Sequence, residues 1–118
     1  MGMRTYKITV AVAGTAGSAT GSQDSSKPIN GELYGIYLDY TSQPVTTDVT
    51  ITTTNPTQTL LVRSNSGTDG WFYPRATICD ASAGALLFYE EFPLDAYINV
   101  AVAQGDPGSV DVYLLVDE

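Results

Sequence analysis

The residue types that most often carry chemistry are scarce in this chain. It has no histidine and a single cysteine, Cys79, so neither a Ser–His nor a Cys–His pair can activate a nucleophile. Zinc is disfavoured on the same ground, because its protein ligands are mainly cysteine and histidine. Cys79 lies between Ile78 and Asp80 in a strand-like segment. We therefore predict a small buried side chain rather than a reactive thiol.

Carboxylates are the remaining candidates for catalysis or metal binding. Glu90 and Glu91 are adjacent, so in a strand they point to opposite faces and cannot form one catalytic pair. Asp69, Asp106 and Asp111 lie in or beside turns and offer the oxygen ligands that calcium prefers, but no EF-hand or Asp-rich repeat spacing is present. We interpret them as solvated turn residues and predict no metal, no cofactor and no enzymatic activity.

Aromatic residues are the informative feature that remains, with eight tyrosines, three phenylalanines and one tryptophan. Trp71, Phe72 and Tyr73 follow a Gly-rich loop, and two interpretations are open for them. They form a stacking platform for a sugar or a contact anchor for a protein, or Trp71 and Tyr73 close the sandwich end while Phe72 points outward. Tyr37 and Tyr113 lie on Asp-bearing strand faces and are better surface candidates, because tyrosine is enriched at interfaces.

The stretch GELYGIYLDY (31–40) carries apolar bulk on both faces of one strand. Strict alternation leaves Leu33 and Tyr37 on the outer face and directs four side chains to the core: Tyr34, Ile36, Leu38 and Tyr40. In the last strand, Leu115 shares the outer face with Tyr113. The candidate interface therefore has six members: Tyr37, Trp71, Phe72, Tyr73, Tyr113 and Leu115.

The charge balance excludes two classes of partner. Thirteen acids against five bases give a net charge of −8. Such a surface repels phosphate backbones and anionic membranes, which are usually held by clustered basic residues. The five basic residues are scattered along the chain: Arg4, Lys7, Lys27, Arg63 and Arg75. We predict that the protein binds neither nucleic acid nor membrane, and no apolar run approaches the ~20 residues of a membrane span.

The elements that must position these residues are strands joined by turns. Period-two alternation and turn residues predict eight strands: 4–13, 32–41, 45–54, 59–63, 75–80, 85–92, 97–103 and 109–116. The Gly/Ser-rich segment 14–30 is predicted to be a long surface loop. No window favours a helix of useful length. The prediction is one all-β domain over 1–118, a two-sheet sandwich of about eight strands with a jelly-roll-like arrangement.

Three stretches of the chain resemble small, histidine-poor structural proteins of tailed bacteriophages: NGELYGIYLDYTSQPVTTDVTITT (30–53), DGWFYPRATI (69–78) and YINVAVAQGDPGSVDVYLLV (97–116). In style they are most similar to the β-sandwich head-decoration, or cement, proteins. That resemblance implies a non-enzymatic virion protein, made in the host cytoplasm, which binds the major capsid protein on the capsid exterior and stabilises it. It also implies a homo-oligomer, with a trimer favoured.

One departure from that family concerns attachment. Lambda-like decoration proteins carry a flexible Pro-rich arm, whereas residues 4–13 are predicted to be a regular strand, so a sheet face or loop cluster must bind the capsid. The alternative function is a carbohydrate-binding or adhesin module, tail or baseplate associated, which would use Trp71, Tyr73 and loop acids.

Overall fold

The computed structural model describes residues 2–118, and the regular structure in that range is entirely β-strand. No helix in those residues is long and apolar enough to cross a membrane. The eleven strands are β1 (Met3–Val12), β2 (Ala19–Asp24), β3 (Ile29–Thr41), β4 (Asp48–Thr53), β5 (Gln58–Arg63), β6 (Gly70–Phe72), β7 (Ala76–Cys79), β8 (Ala85–Glu90), β9 (Phe92–Ala96), β10 (Ile98–Gly105) and β11 (Gly108–Asp117).

Two antiparallel sheets form the body of the protein. The first has the order β1-β11-β3-β6, with β9 also paired to β3, and the second has the order β2-β10-β4-β5. β6 and β9 occupy different parts of one edge of β3, pairing with residues 36–38 and 29–33 respectively. Together they act as one interrupted strand, which leaves four strand positions in each sheet. This is the arrangement of an eight-stranded jelly roll, and the predicted all-β sandwich is confirmed.

The core lies between the two sheets and is built by alternation along the strands. In β11 every second residue is buried, from Val110 to Val116, and β10 contributes Ile98, Val100 and Val102 in the same way. These branched aliphatic side chains fit a pleated surface and fill the space between the sheets. Each fully buried one contributes roughly 1.5–3 kcal/mol to the free energy of unfolding through the hydrophobic effect.

The predicted loop 14–30 contains a strand, so that prediction is wrong in part. β2 pairs with β10 at the edge of the second sheet, and the bridge from Ala13 to Thr20 joins it to the end of β1. A Cβ on Gly21 would overlap the carbonyl oxygen of Ala11, so this glycine permits the close approach of two strands. Residues 14–30 were predicted to be a loop because their Gly/Ser-rich composition is typical of a linker.

The predicted strands 75–80 and 85–92 do not belong to the sandwich, apart from Phe92, which begins β9. β7 and β8 pair with each other and form a separate two-stranded hairpin, inserted between β6 and β9. We call residues 76–90 the apolar hairpin. Cys79 is exposed on it, which corrects the prediction of a buried core thiol. The reason is that the hairpin has no second sheet packed over it.

A β-bulge in β3 reverses part of the predicted alternation. Gly35 pairs with Leu115 and Leu33 pairs with Val116, so Tyr34 is an extra residue without a partner on β11. The bulge turns Leu33 into the core, where it is fully buried, and leaves Tyr34 40% exposed. Leu33 was predicted to lie outside and Tyr34 inside, so both predictions are wrong. Tyr37 lies on the outer face, as predicted.

Candidate functional site

A row of aromatic side chains crosses the outer face of the first sheet. Strand register places Tyr113, Tyr37 and Trp71 side by side on β11, β3 and β6, and Tyr73 follows directly after β6. The ring centroids are 6.1 Å apart for Tyr113 and Tyr37, 5.2 Å for Tyr37 and Trp71, and 6.1 Å for Trp71 and Tyr73. We call these four residues the aromatic strip.

The strip is open at its β6 end. Trp71 and Tyr73 are 50% and 53% exposed, and their rings are nearly parallel, with an interplanar angle of 9°. The absence of a side chain at Gly35 leaves room for the Tyr73 ring, because a Cβ on Gly35 would lie 3.0 Å from the Cδ1 and Cε1 atoms of that ring. Leu115 pairs with Gly35 in the register and lies half-buried on the same face.

Charged groups flank the strip on its β1 and β11 side. The Lys7 ammonium lies 5.5 Å from the centre of the Tyr113 ring and 3.8 Å from the Oδ2 atom of Asp111. A hydrogen-bonding contact with Tyr113, followed by the charge of Asp111, raises the pKa of Lys7. Asp111 is directly opposite Asp39 in the register, so two carboxylates lie next to the rings.

The centre of the strip forms a shallow depression of about 360 Å³. Its lining combines three rings with a hydroxyl and a carboxylate: Thr5, Tyr37, Asp39, Trp71 and Tyr113. Such a surface can stack against a flat apolar face and at the same time exchange hydrogen bonds with polar groups around it.

Of the six candidate interface residues, Phe72 alone is separated from the others. Its side chain packs against the core, with the Arg63 guanidinium 5.0 Å from the ring centre. This orientation is the reverse of the interpretation in which Phe72 points outward while Trp71 and Tyr73 close the sandwich. The remaining five lie on one sheet face: Tyr37, Trp71, Tyr73, Tyr113 and Leu115.

The apolar hairpin is a second candidate surface, which the sequence reasoning missed. Leu87 is 93% exposed, Phe88 68% and Tyr89 66%. The signal was present in the sequence, because ALLFYE (85–90) does not alternate between apolar and polar residues as a half-buried strand does. Consecutive exposed apolar residues of this kind mark an interaction surface.

Arg75 ties the base of the hairpin to the aromatic strip. Its Nη1 atom donates a hydrogen bond of 2.9 Å to the carbonyl oxygen of Tyr34, which the bulge leaves free of β11. Its Nη2 atom lies 3.7 Å from Oε2 of Glu91, at the other side of the hairpin base. The guanidinium also lies over the Tyr34 ring, and that ring contacts Tyr73 edge-on at 5.7 Å.

Two of the three acids that could have suggested calcium binding join loops to other parts of the chain, and the third, Asp111, pairs with Lys7 on the sheet face. Asp69 accepts a hydrogen bond of 2.8 Å from the backbone nitrogen of Tyr40, and Asp106 accepts one of 2.8 Å from that of Gly17. Within residues 2–118, no three His, Cys, Asp or Glu side chains are grouped closely enough to hold a metal ion. Another surface recess, of about 470 Å³, is lined by one ionisable residue, Asp95.

Comparison with known proteins gives structural neighbours and no family. No protein-family model and no curated protein matches the chain. Two solved variants of CBM29-2, a family 29 carbohydrate binding module, are similar in structure, each with a TM-score of 0.41. One has 11% sequence identity over 99% of this chain and 81% of its own, and the other has 12% over 98% and 74%. A likeness this distant carries no argument about function.

Proposed function

We propose that this chain is a non-enzymatic structural protein of a bacteriophage virion that decorates and stabilises the capsid exterior. The observation that supports this role is the apolar hairpin, which forms a sheet separate from the sandwich and whose apolar side chains are exposed. Soluble monomers rarely expose large contiguous apolar patches, and those that do generally use them for contacts with other molecules. Its partners would be the major capsid protein and other copies of this chain, with a trimer favoured.

The charge distribution supports a contact at this position. The molecule carries a net charge of −8, yet residues 81–89 contain no charged side chain. The nearest acids are Asp80 and Glu90, and Asp80 is engaged in the hairpin turn, where it accepts hydrogen bonds of 2.9 and 2.7 Å from the backbone nitrogens of Ser82 and Gly84. An uncharged segment of an acidic molecule can approach another copy without direct repulsion.

The mechanism of stabilisation is thermodynamic linkage. A protein that binds the assembled lattice and not its free subunits shifts the equilibrium toward assembly. At a concentration about 100 times Kd, each occupied site adds about 2.7 kcal/mol, and a capsid offers many equivalent sites. No catalytic step is required, which is consistent with a chain that has no histidine.

The proposal predicts a major capsid gene beside the gene for this chain, and co-expression of the two proteins tests it. We expect the chain to sediment with assembled capsids at a fixed ratio and to raise their disruption temperature. Leu87→Glu should abolish this binding, while Val45→Glu, the same change at a loop side chain that is 74% exposed, should not. Absence of the wild-type chain from capsids, together with no neighbouring capsid gene, would refute the proposal.

A further inference from the structure

The aromatic strip and the apolar hairpin differ in chemistry. Each ring of the strip carries a polar atom: the three tyrosines have hydroxyls and Trp71 has its indole N–H. The exposed side chains of the hairpin include Leu86, Leu87 and Phe88, which have no polar atom. Leu115 is the one large aliphatic side chain on the strip's face among the six candidate residues. Two surfaces of such different composition on one molecule suit two different partners.

The acids beside the strip restrict what can cover it. Asp39 and Asp111 face each other across β3 and β11, and within residues 2–118 the one ion pair at these two acids joins Lys7 to Asp111 at 3.8 Å. A protein laid over this face would have to bury both carboxylates, which is costly unless it supplies a partner for each. A ligand rich in hydroxyl groups would instead donate hydrogen bonds to them.

We infer that the aromatic strip is a binding site for a neutral saccharide chain. The faces of sugar rings present C–H groups that pack on aromatic rings, while their equatorial hydroxyls reach the acids and tyrosine hydroxyls at the side. Tyr113, Tyr37 and Trp71 lie side by side across three strands, and Tyr73 follows two residues after Trp71 at the open end of the strip. Neighbouring ring centroids are 5.2 to 6.1 Å apart, so successive sugar units can contact successive rings. The net charge of −8 disfavours anionic polysaccharides.

The fluorescence of Trp71 provides a direct assay, because it is the only tryptophan in the chain. Titration with hexasaccharides of β-1,4-linked glucose, mannose and xylose is the first measurement, followed by a glycan array. We expect at least one neutral glycan to shift the Trp71 emission in a saturable way. Alginate, an anionic polysaccharide, should bind more weakly than the neutral glycans at low ionic strength.

Variants separate the strip from the hairpin, with affinity for the bound glycan measured by calorimetry. Trp71→Ala and Tyr37→Ala should each lower the affinity about tenfold or more, as for the loss of an aromatic anchor. Phe88→Ala, an exposed aromatic of the hairpin, should leave the affinity unchanged.

Two results would overturn the inference. One is the absence of binding to every neutral glycan on the array and to the three hexasaccharides at millimolar concentration. The other is a fall in the mass of the oligomer for Trp71→Ala without any glycan binding by the wild type, which would identify the strip as a subunit contact. Capsid binding through the hairpin is measured separately, so failure here leaves the proposed structural role intact.

Discussion

Gly35 is the residue on which the position of the Tyr73 ring depends. We predict that Gly35→Ala displaces this ring, because the new Cβ would lie 3.0 Å from two of its carbon atoms. The ring is exposed and can rotate away, so the free energy of unfolding should fall by less than about 1 kcal/mol. The changed environment of Trp71 should appear in its fluorescence. Gly70→Ala is the control, because there the nearest atom would lie at an ordinary 3.6 Å.

Glu118 makes a contribution to the stability of the fold that depends on pH. A hydrogen bond from the Tyr6 hydroxyl, helped by the nearby Arg4, lowers the pKa of Glu118. A carboxyl whose pKa is lower in the folded state stabilises that state above its unfolded pKa, and the contribution disappears as pH falls through the folded pKa.

We therefore predict that Glu118→Gln lowers Tm at neutral pH and that the difference from wild type vanishes in acid. Thermal unfolding followed by circular dichroism from pH 7 down to pH 2 measures this. A Tm difference that is independent of pH would contradict the assignment.

At the scale of elements, the packing of β2 against β1 depends on one glycine. Gly21 lies against the backbone of Ala11 and the side chain of Val10, and neither can move without disturbing β1. We predict that Gly21→Ala lowers the free energy of unfolding by about 2 kcal/mol or more, in the range of other overpacked sites. Denaturant unfolding measures the loss. Thr20→Ala, at the exposed neighbouring position, should cost far less.

For the whole molecule, the net charge of −8 opposes assembly of copies. If the apolar hairpin forms the contact, salt should strengthen it, because ions screen the repulsion and leave the apolar contact in place. We predict a trimer whose dissociation constant falls between low and physiological ionic strength. Light scattering at the two salt concentrations measures this, and Phe88→Glu should give a folded monomer in both. A wild-type monomer at high concentration in both conditions would contradict the prediction.

Local pattern was sufficient for several features of this protein. Alternation in β11 placed Tyr113 and Leu115 on the outer face correctly, because one buried face imposes a period of two on any strand. The same reasoning gave the all-β class and the outward position of Tyr37. The absence of histidine is a property of the sequence and needed no structure.

Other features depended on which segments meet in space. Cys79 and ALLFYE look like sandwich strands, but no second layer covers them, and a local pattern does not reveal what packs on a face. The sequence alternation directs the Tyr34 side chain to the core, but in the structure it lies outside the core. The reason is a bulge in β3, which arises from pairing with β11. The aromatic strip joins residues from positions 37, 71, 73 and 113, and only the register between strands distant in sequence places them in one row.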